Sequence, residues 1–291
     1  MSRLRRVGIL GIMVLQLSIG VSQAQSKQHL AKGIQLVQDD QYEEAIPILE
    51  AAVETLPNNA DAHYWLGAAY GLKAQQSNVL KQATLAPRIR KHFERSVALD
   101  PNHLDARMAL VEFYLQAPSF MGGSKDKALE QAKAIYSRDE AVGVQSLVRV
   151  HEAAEEYDKV EQVYKDAIAL ATDDTLLKLN LGFFYQRTEQ YDRAFDTFEK
   201  LAVSDNWYAL YQVGRTAVFS GQRLARGAEA LETYVQHQPT AQEPDLASAH
   251  YHLGMVYEQM SRSDDAAEAY ARAFELNPQL TEARKALSKL R

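Results

Sequence analysis

The sequence predicts an all-α chain built on an internal repeat, and three observations predict it. Glycine (14) and proline (8) are scarce among 291 residues, which disfavours the turn-dense chains of all-β folds. Leu66-Gly67 followed by Tyr70 returns as Leu181-Gly182 with Tyr185, and again as Leu253-Gly254 with Tyr257. Apolar residues recur at helical spacing, as in Ala266, Ala269, Tyr270, Ala273 and Phe274, laying one apolar stripe along a helix. With 46% hydrophobic and 24% charged residues, the chain has the composition of a folded protein. Cysteine is absent, which removes disulfide frameworks, cysteine-zinc sites and thiol nucleophiles. A formal charge of −6 gives a nucleic-acid partner little electrostatic support.

The first element, residues 1–24, reads as an address. Arg3, Arg5 and Arg6 make a basic start, Val7 to Val21 is mostly apolar, and Ser22-Gln23-Ala24 ends in small residues. That is the three-part pattern of a secretory signal peptide, with cleavage expected after Ala24. The apolar run is short for a membrane span and is diluted by Gly11, Gln16, Ser18 and Gly20, so an anchor is disfavoured. Removing three arginines and no acids takes the formal charge from −6 to −9. The expected product is periplasmic or secreted, with no stable membrane span after cleavage.

The body follows. After the second Leu-Gly mark come Ala194 and Phe198; after the third come Ala266, Tyr270, Ala273 and Pro278. This resembles the tetratricopeptide repeat, whose marks are W-x2-L-G-x2-Y, A-x3-F and P at a period of about 34. On these marks, repeats start near 26, 60, 104, 141, 175, 207 and 247. The fourth is degenerate, with Leu147, Val148 and His151, and the sixth has Gly227 where alanine stands in the family. The resemblance implies two antiparallel helices per unit and a right-handed α-solenoid of about seven pairs over residues 25–280. Small residues such as Gly67 and Ala45 would let the two backbones approach. Prolines at 57, 101, 239 and 278 would end second helices. Residues 281–291 carry Ala283, Ala286, Leu287 and Leu290 on one side, the pattern of the capping helix that an open array requires.

Two insertions interrupt the array. One lies near 73–90, where Pro87 is expected to open or kink a helix, and Lys81, Arg88, Arg90, Lys91 and Arg95 make the region basic. It reads as a solvated helix face, or as a patch for an anionic partner such as an acidic peptide or a lipid headgroup. The other is Ala117 to Lys125, with Pro118 stopping a helix, Gly122 and Gly123 taking positive φ, and Ser124 capping the next. It lacks the phosphate-loop pattern. The segments APSFMGGSKDKA and YQVGRTAVFSGQRLARGAEAL look like those of a group of exported bacterial tetratricopeptide proteins. That resemblance brings no activity with it.

A search for chemistry finds no H-E-x-x-H, G-x-S-x-G, S-x-x-K set or G-x-G-x-x-G after a strand. His151-Glu152 with Glu155 lacks a second histidine, and His151 reads as a packing residue. Asp39-Asp40 and Asp264-Asp265 precede second helices, where they would favour the positive helix end and cap it. No enzyme activity, cofactor or metal is expected.

What remains is a binding surface. The resemblance places ligand-facing residues on the first helix of each unit, at repeat positions 2, 5, 9 and 12. In this register they are Tyr64, Met108, Glu112, Gln145, Arg149, Leu179, Phe183, Tyr208, Tyr211, Arg215, Tyr251 and Met255. Tyrosine, methionine and arginine suit hot spots, since they join apolar area to a polar handle. A one-residue register error would exchange these with packing residues. Arg149 and Arg215 could each pair with a partner carboxylate. The family's lysine-asparagine carboxylate clamp is not supported, because Leu30 and Ile34 hold the corresponding places in the first repeat. The expected function is a non-enzymatic protein-interaction scaffold or adaptor in the bacterial cell envelope, gripping a protein or peptide segment in a concave groove. Self-assembly into a homo-oligomer, or carriage of exported proteins as a periplasmic chaperone, are the alternatives.

Overall fold

A computed structural model describes residues 25–204 and 206–290. The expected signal peptide and its cleavage site lie outside the described residues. Among the described residues every regular element is helical. In chain order they are α1 (25–38), α2 (Tyr42–Thr55), α3 (Ala60–Gln75), α4 (Val79–Leu99), α5 (Leu104–Gln116), a 3-10 turn (Ser119–Met121), α6 (Lys125–Tyr136), α7 (Glu140–Ala153) and α8 (Tyr157–Leu170). Then come α9 (Thr175–Arg187), α10 (Tyr191–Ala202), α11 (Trp207–Ser220), α12 (Leu224–Tyr234), α13 (Leu246–Gln259), α14 (Ser263–Leu276) and α15 (Thr281–Leu290). The chain forms two compact units that divide after Val160, within α8.

Each unit is a stack of helix hairpins, the solenoid packing that the repeat pattern implies. In the first unit, α3 packs on α4, α5 on α6 and α6 on α7. In the second, α9 packs on α10, α11 on α12, α13 on α14, and α15 closes the stack against α14. The Leu-Gly marks explain the pairing. Phe93 of α4 lies over Gly67 of α3, where a Cβ would stand 2.8 Å from the ring. Phe198 covers Gly182 and Tyr270 covers Gly254 in the same way, at 2.5 and 2.6 Å. A first-helix glycine thus gives the second-helix ring its seat. Leu49, Leu66, Leu110 and Ile135 fill the first core, and Phe184, Phe195, Leu231 and Tyr234 the second. Each such side chain contributes about 1.5–3 kcal/mol by leaving water.

The links between hairpins and the turns within them use different chemistry. First helices begin at side-chain caps: Asn59, His103, Asp139, Asp174, Asn206 and Asp245 each accept a hydrogen bond from a first-turn N–H. Within hairpins, Asp40, Glu155, Glu189 and Ser261 take left-handed φ near 60°. The next residue's N–H then reaches back to a carbonyl of the preceding helix, as from Gln190 to Tyr185 at 2.8 Å and from Arg262 to Tyr257 at 2.8 Å. These bonds satisfy carbonyls left open at the helix end.

Three local expectations are corrected. Asp39-Asp40 and Asp264-Asp265 do not cap second helices: α2 and α14 start at Gln41 and Arg262 with no side-chain cap bond. The aspartates sit in the turn or the first helical turn, where the helix dipole favours those near the N-terminus, Asp39 accepts from Gln35 Nε2 at 3.0 Å and Asp265 pairs with Arg262 at 2.7 Å. Pro87 does not open a helix; it lies inside α4, which Asn78 opens by accepting the Lys81 N–H at 3.0 Å. Of the loop glycines only Gly122 has positive φ, at 103°. Gly123 is required for space, since a Cβ there would fall 1.7 Å from the Ala117 carbonyl oxygen. Ser124 caps α6 through its hydroxyl.

Candidate functional site

The residues expected to face a ligand fall in both units. In the second unit the first helices α9, α11 and α13 form one wall. Phe183 of α9 and Tyr208 of α11 are half-buried, with ring centroids 6.0 Å apart at 85°. Tyr251 and Met255 of α13 are half-buried and line a shallow recess of about 390 Å³ with Tyr270, Ala286 and Lys289. Arg215 is half-buried, its guanidinium 4.9 Å from the Phe219 ring centre, and Phe219 itself is exposed. Tyr211 stands apart from this set. It is 4% exposed, packed between Tyr234 at 5.3 Å and His252 at 5.5 Å, and its hydroxyl is 3.0 Å from His252 Nδ1. Burial pushes that hydroxyl up to about 12. Tyr211 therefore holds α11, α12 and α13 together, and the open face of the wall is left to Tyr208 and Arg215.

The same wall carries an amide and hydroxyl row that the register did not single out. Gln186 Nε2 donates to Thr216 Oγ1 at 2.8 Å, and Gln259 Nε2 donates to the Val218 carbonyl at 2.9 Å. These bonds lace α9, α11 and α13. Gln212 is fully buried; its Oε1 accepts from Arg215 Nη1 at 3.3 Å. Among the described residues, Gln212 Nε2 and Arg215 Nε are buried with no hydrogen-bond partner. Gln186 holds the twelfth position of its repeat, so the register itself was the signal for it. Gln212 and Thr216 had none.

In the first unit, Tyr64 is half-buried among the rings of Trp65, Phe93 and His103. Met108 is partly buried against the core. Arg149 is exposed, and both arms grip Glu112: Nε to Oε1 at 3.0 Å and Nη2 to Oε2 at 3.1 Å. This pairing holds the Glu112 carboxyl below the usual carboxylate range. Arg149 is thus already matched within its own unit.

The two insertions meet beside this pair. α4 and the 3-10 turn close over α3 and α5 to form a cleft of about 510 Å³. Its lining is mostly apolar: Ala68, Gly71 and Leu72 from α3, Ala86, Ile89 and Phe93 from α4, Phe113 from α5, and Pro118 and Met121 from the loop. Glutamines 75, 82 and 116 and Glu112 are its polar lining, and Ala74, Ala109 and Ala117 complete it. On the turn side, Arg90 packs so closely on Gly122 that a Cβ there would stand 2.4 Å from the guanidinium. Sequence spacing located both insertions but not their meeting, which depends on the fold.

His63, His92, His151 and His237 pack against neighbouring side chains. His151 is buried, with Nδ1 2.7 Å from Glu156 Oε2. His63 and His92 stack at 5.3 Å with their Nδ1 atoms 3.0 Å apart. Trp207 and His237 stack at 4.2 Å. Among the described residues no three metal-ligating side chains gather, and no helix is long and apolar enough to cross a membrane.

Comparison with known families finds the repeat at both ends of the described chain. A family model for the tetratricopeptide repeat matches residues 247–280, and one for the TPR repeat matches residues 33–73. No curated protein matches the chain. Among solved structures, a tetratricopeptide repeat protein from Parabacteroides merdae is similar at 14% identity, over 91% of this chain and 98% of that one, with a TM-score of 0.49. YrrB, described as a TPR protein with an unusual peptide-binding site, is similar at 15% identity, over 82% and 96%, with a TM-score of 0.41. The Naa15/Naa10 complex bound to HypK-THB gives 13% identity over 91% of this chain and 39% of that one, with a TM-score of 0.47.

Proposed function

We propose, on the premise that this chain is a tetratricopeptide-repeat protein, that it is a non-catalytic scaffold that holds a segment of a partner protein on its first-helix walls. The carrying observation is the wall of α9, α11 and α13. Rings, a guanidinium and amides stand there in rows on helices that are already packed. A preformed wall costs little ordering on binding, half-buried Phe183 offers apolar area, and half-buried Tyr208 and Tyr251 offer apolar area with a hydroxyl. The Gln186 bond to buried Thr216 holds α9 against α11 and so keeps the wall preformed.

We further propose that the protein acts outside the cytoplasm. The support is the basic start, apolar run and small-residue end of residues 1–24. N-terminal sequencing of the protein from an envelope fraction should begin at Gln25; an intact Met1 would refute export by cleavage.

The scaffold reading is tested by placing a photo-crosslinking side chain at Phe183 or at Tyr208 in living cells. A discrete protein adduct is expected from both positions. The control position is exposed Lys165 on α8. Adducts from Lys165 alone, or none from either wall position, would overturn this reading.

A further inference from the structure

We propose that the cleft of the first unit is the docking slot for an acidic amphipathic segment of a partner protein. Its apolar side chains would enter between α3, α4 and α5, and its carboxylates would meet cations of α4. This rests on the scaffold reading and gives it a specific ligand chemistry.

Shape is the first argument. The cleft is edged by small residues, Ala68, Gly71, Ala74 and Ala109, so room is left where larger side chains would fill it. A Cβ added at Gly71 would meet nothing within 4 Å. A space of about 510 Å³ is in the range that receives inserted apolar groups. Exposed apolar side chains continue it on the elements that wall it: Val79 and Leu80 at the start of α4, and Phe120 in the 3-10 turn. Phe120 is 78% and Leu80 81% exposed, an apolar extension of the kind that marks interaction sites.

Charge is the second. The one ionised group in the lining, Glu112, has both oxygens taken, by Arg149 and by Gln116 Nε2 at 2.8 Å. Nothing inside the cleft therefore selects a charged atom. Arg90, packed on Gly122 of the loop, stands at its rim. Residues 62–93 hold Lys73, Lys81, Arg88, Arg90 and Lys91 and no aspartate or glutamate, in a chain of net charge −6. Lys73 is paired with Glu43 and Arg88 lies on the Tyr70 ring. Lys81 is exposed, and Arg90 has Glu94 only at 3.9 Å. An apolar slot with cationic flanks is complementary to a helix whose apolar anchors, spaced i, i+3 and i+7, are bordered by acids. An anionic membrane would meet the same cations, but a flat bilayer cannot use a recess edged by alanine and glycine.

The test is fluorescence anisotropy with the mature protein and a labelled synthetic helix carrying leucines at that spacing and glutamates on its flanks. Two control peptides carry lysines for the glutamates, or serines for the leucines. The acidic leucine peptide should bind, and both controls should bind about tenfold more weakly or worse. Gly71→Leu should weaken binding about tenfold by filling the slot. Ala74→Leu is the second blocking variant should the first fail to give the wild-type helical spectrum. Arg90→Glu should weaken binding and reduce its salt dependence. The proposal is overturned if the wild type does not bind the acidic peptide, if folded blocking variants bind as the wild type does, or if the lysine peptide binds equally. It is also overturned if vesicles of equal parts phosphatidylcholine and phosphatidylglycerol bind and only Arg90→Glu weakens them. In each of these cases adducts from Phe183 and Tyr208 would leave the scaffold reading standing.

Discussion

Acid should loosen the first unit through one histidine pair. His63 is buried, and its Nε2 lies 3.1 Å from the Pro57 carbonyl. With that nitrogen donating, its Nδ1 is bare and accepts the His92 Nδ1–H at 3.0 Å. A proton on His63 Nδ1 would set two N–H groups against each other, and a proton on His92 would leave the bond but put a charge on a half-buried ring beside Lys91 and Arg88. Burial, then the neighbouring His63, Lys91 and Arg88 charges, lower His92 to about 4, with Glu50 opposing. Burial also lowers His63. An unfolded histidine titrates near 6.5, so between 6.5 and 4 the unfolded chain binds more protons than the folded one. Stability is therefore complete above pH 6.5 and is lost as pH falls toward 4. The His92 shift corresponds to about 3 kcal/mol in full, of which about 2 falls between pH 7 and 5. Water reaching the half-buried ring reduces this to about 1 kcal/mol.

The assay uses the two tryptophans, Trp65 in the first unit and Trp207 in the second. In a Trp207→Phe background Trp65 alone reports urea unfolding of the first unit. Its midpoint should fall by about 0.5 M between pH 7 and 5, at a slope of about 2 kcal/mol/M. His92→Gln retains a donor toward His63 and cannot titrate, so most of that fall should vanish. An equal fall in His92→Gln would refute the reasoning.

Three further outcomes follow from the packing. Gly254→Ala places a Cβ 2.6 Å from the Tyr270 ring and should destabilise the second unit by about 1–3 kcal/mol, read as a lowered Trp207 midpoint in a Trp65→Phe background. Asn206→Ala removes the acceptor for the Ala209 N–H at 2.8 Å and should cost about 1 kcal/mol in that assay. Arg149→Ala should change stability by less than about 1 kcal/mol, because the pair is exposed; it should raise the Glu112 carboxyl toward its usual range, as read by NMR titration.

The repeat was legible because its seats are chemical. A Leu-Gly pair on a first helix and an aromatic on the second can only interdigitate one way, so Gly182 with Phe198 and Gly254 with Tyr270 announce their hairpins in the sequence. Most caps were not legible: the acidic pairs pointed to Asp39-Asp40 and Asp264-Asp265 before second helices, whereas Asn59, His103, Asp139, Asp174, Asn206 and Asp245 cap first helices. The turns inside hairpins were not, because Asp40, Glu155, Glu189 and Ser261 share a conformation and no side chain. On the binding walls, periodicity identifies the helix face but not its neighbours. Tyr208 and Tyr211 read alike until Tyr234 and His252 close over the second. Arg149 reads as a cation for a partner until the fold brings Glu112, 37 residues away, into its fork. The cleft of the first unit needed α4, read as an insertion around Pro87, to be one continuous helix reaching the glycine turn.

The central claim is that first helices hold the partner while second helices carry them. Amide hydrogen exchange on the purified protein, with and without the partner captured from Phe183, tests it most directly. Added protection should fall on α9, α11 and α13 and leave α10, α12 and α14 unchanged. Protection confined to the second helices would contradict the account.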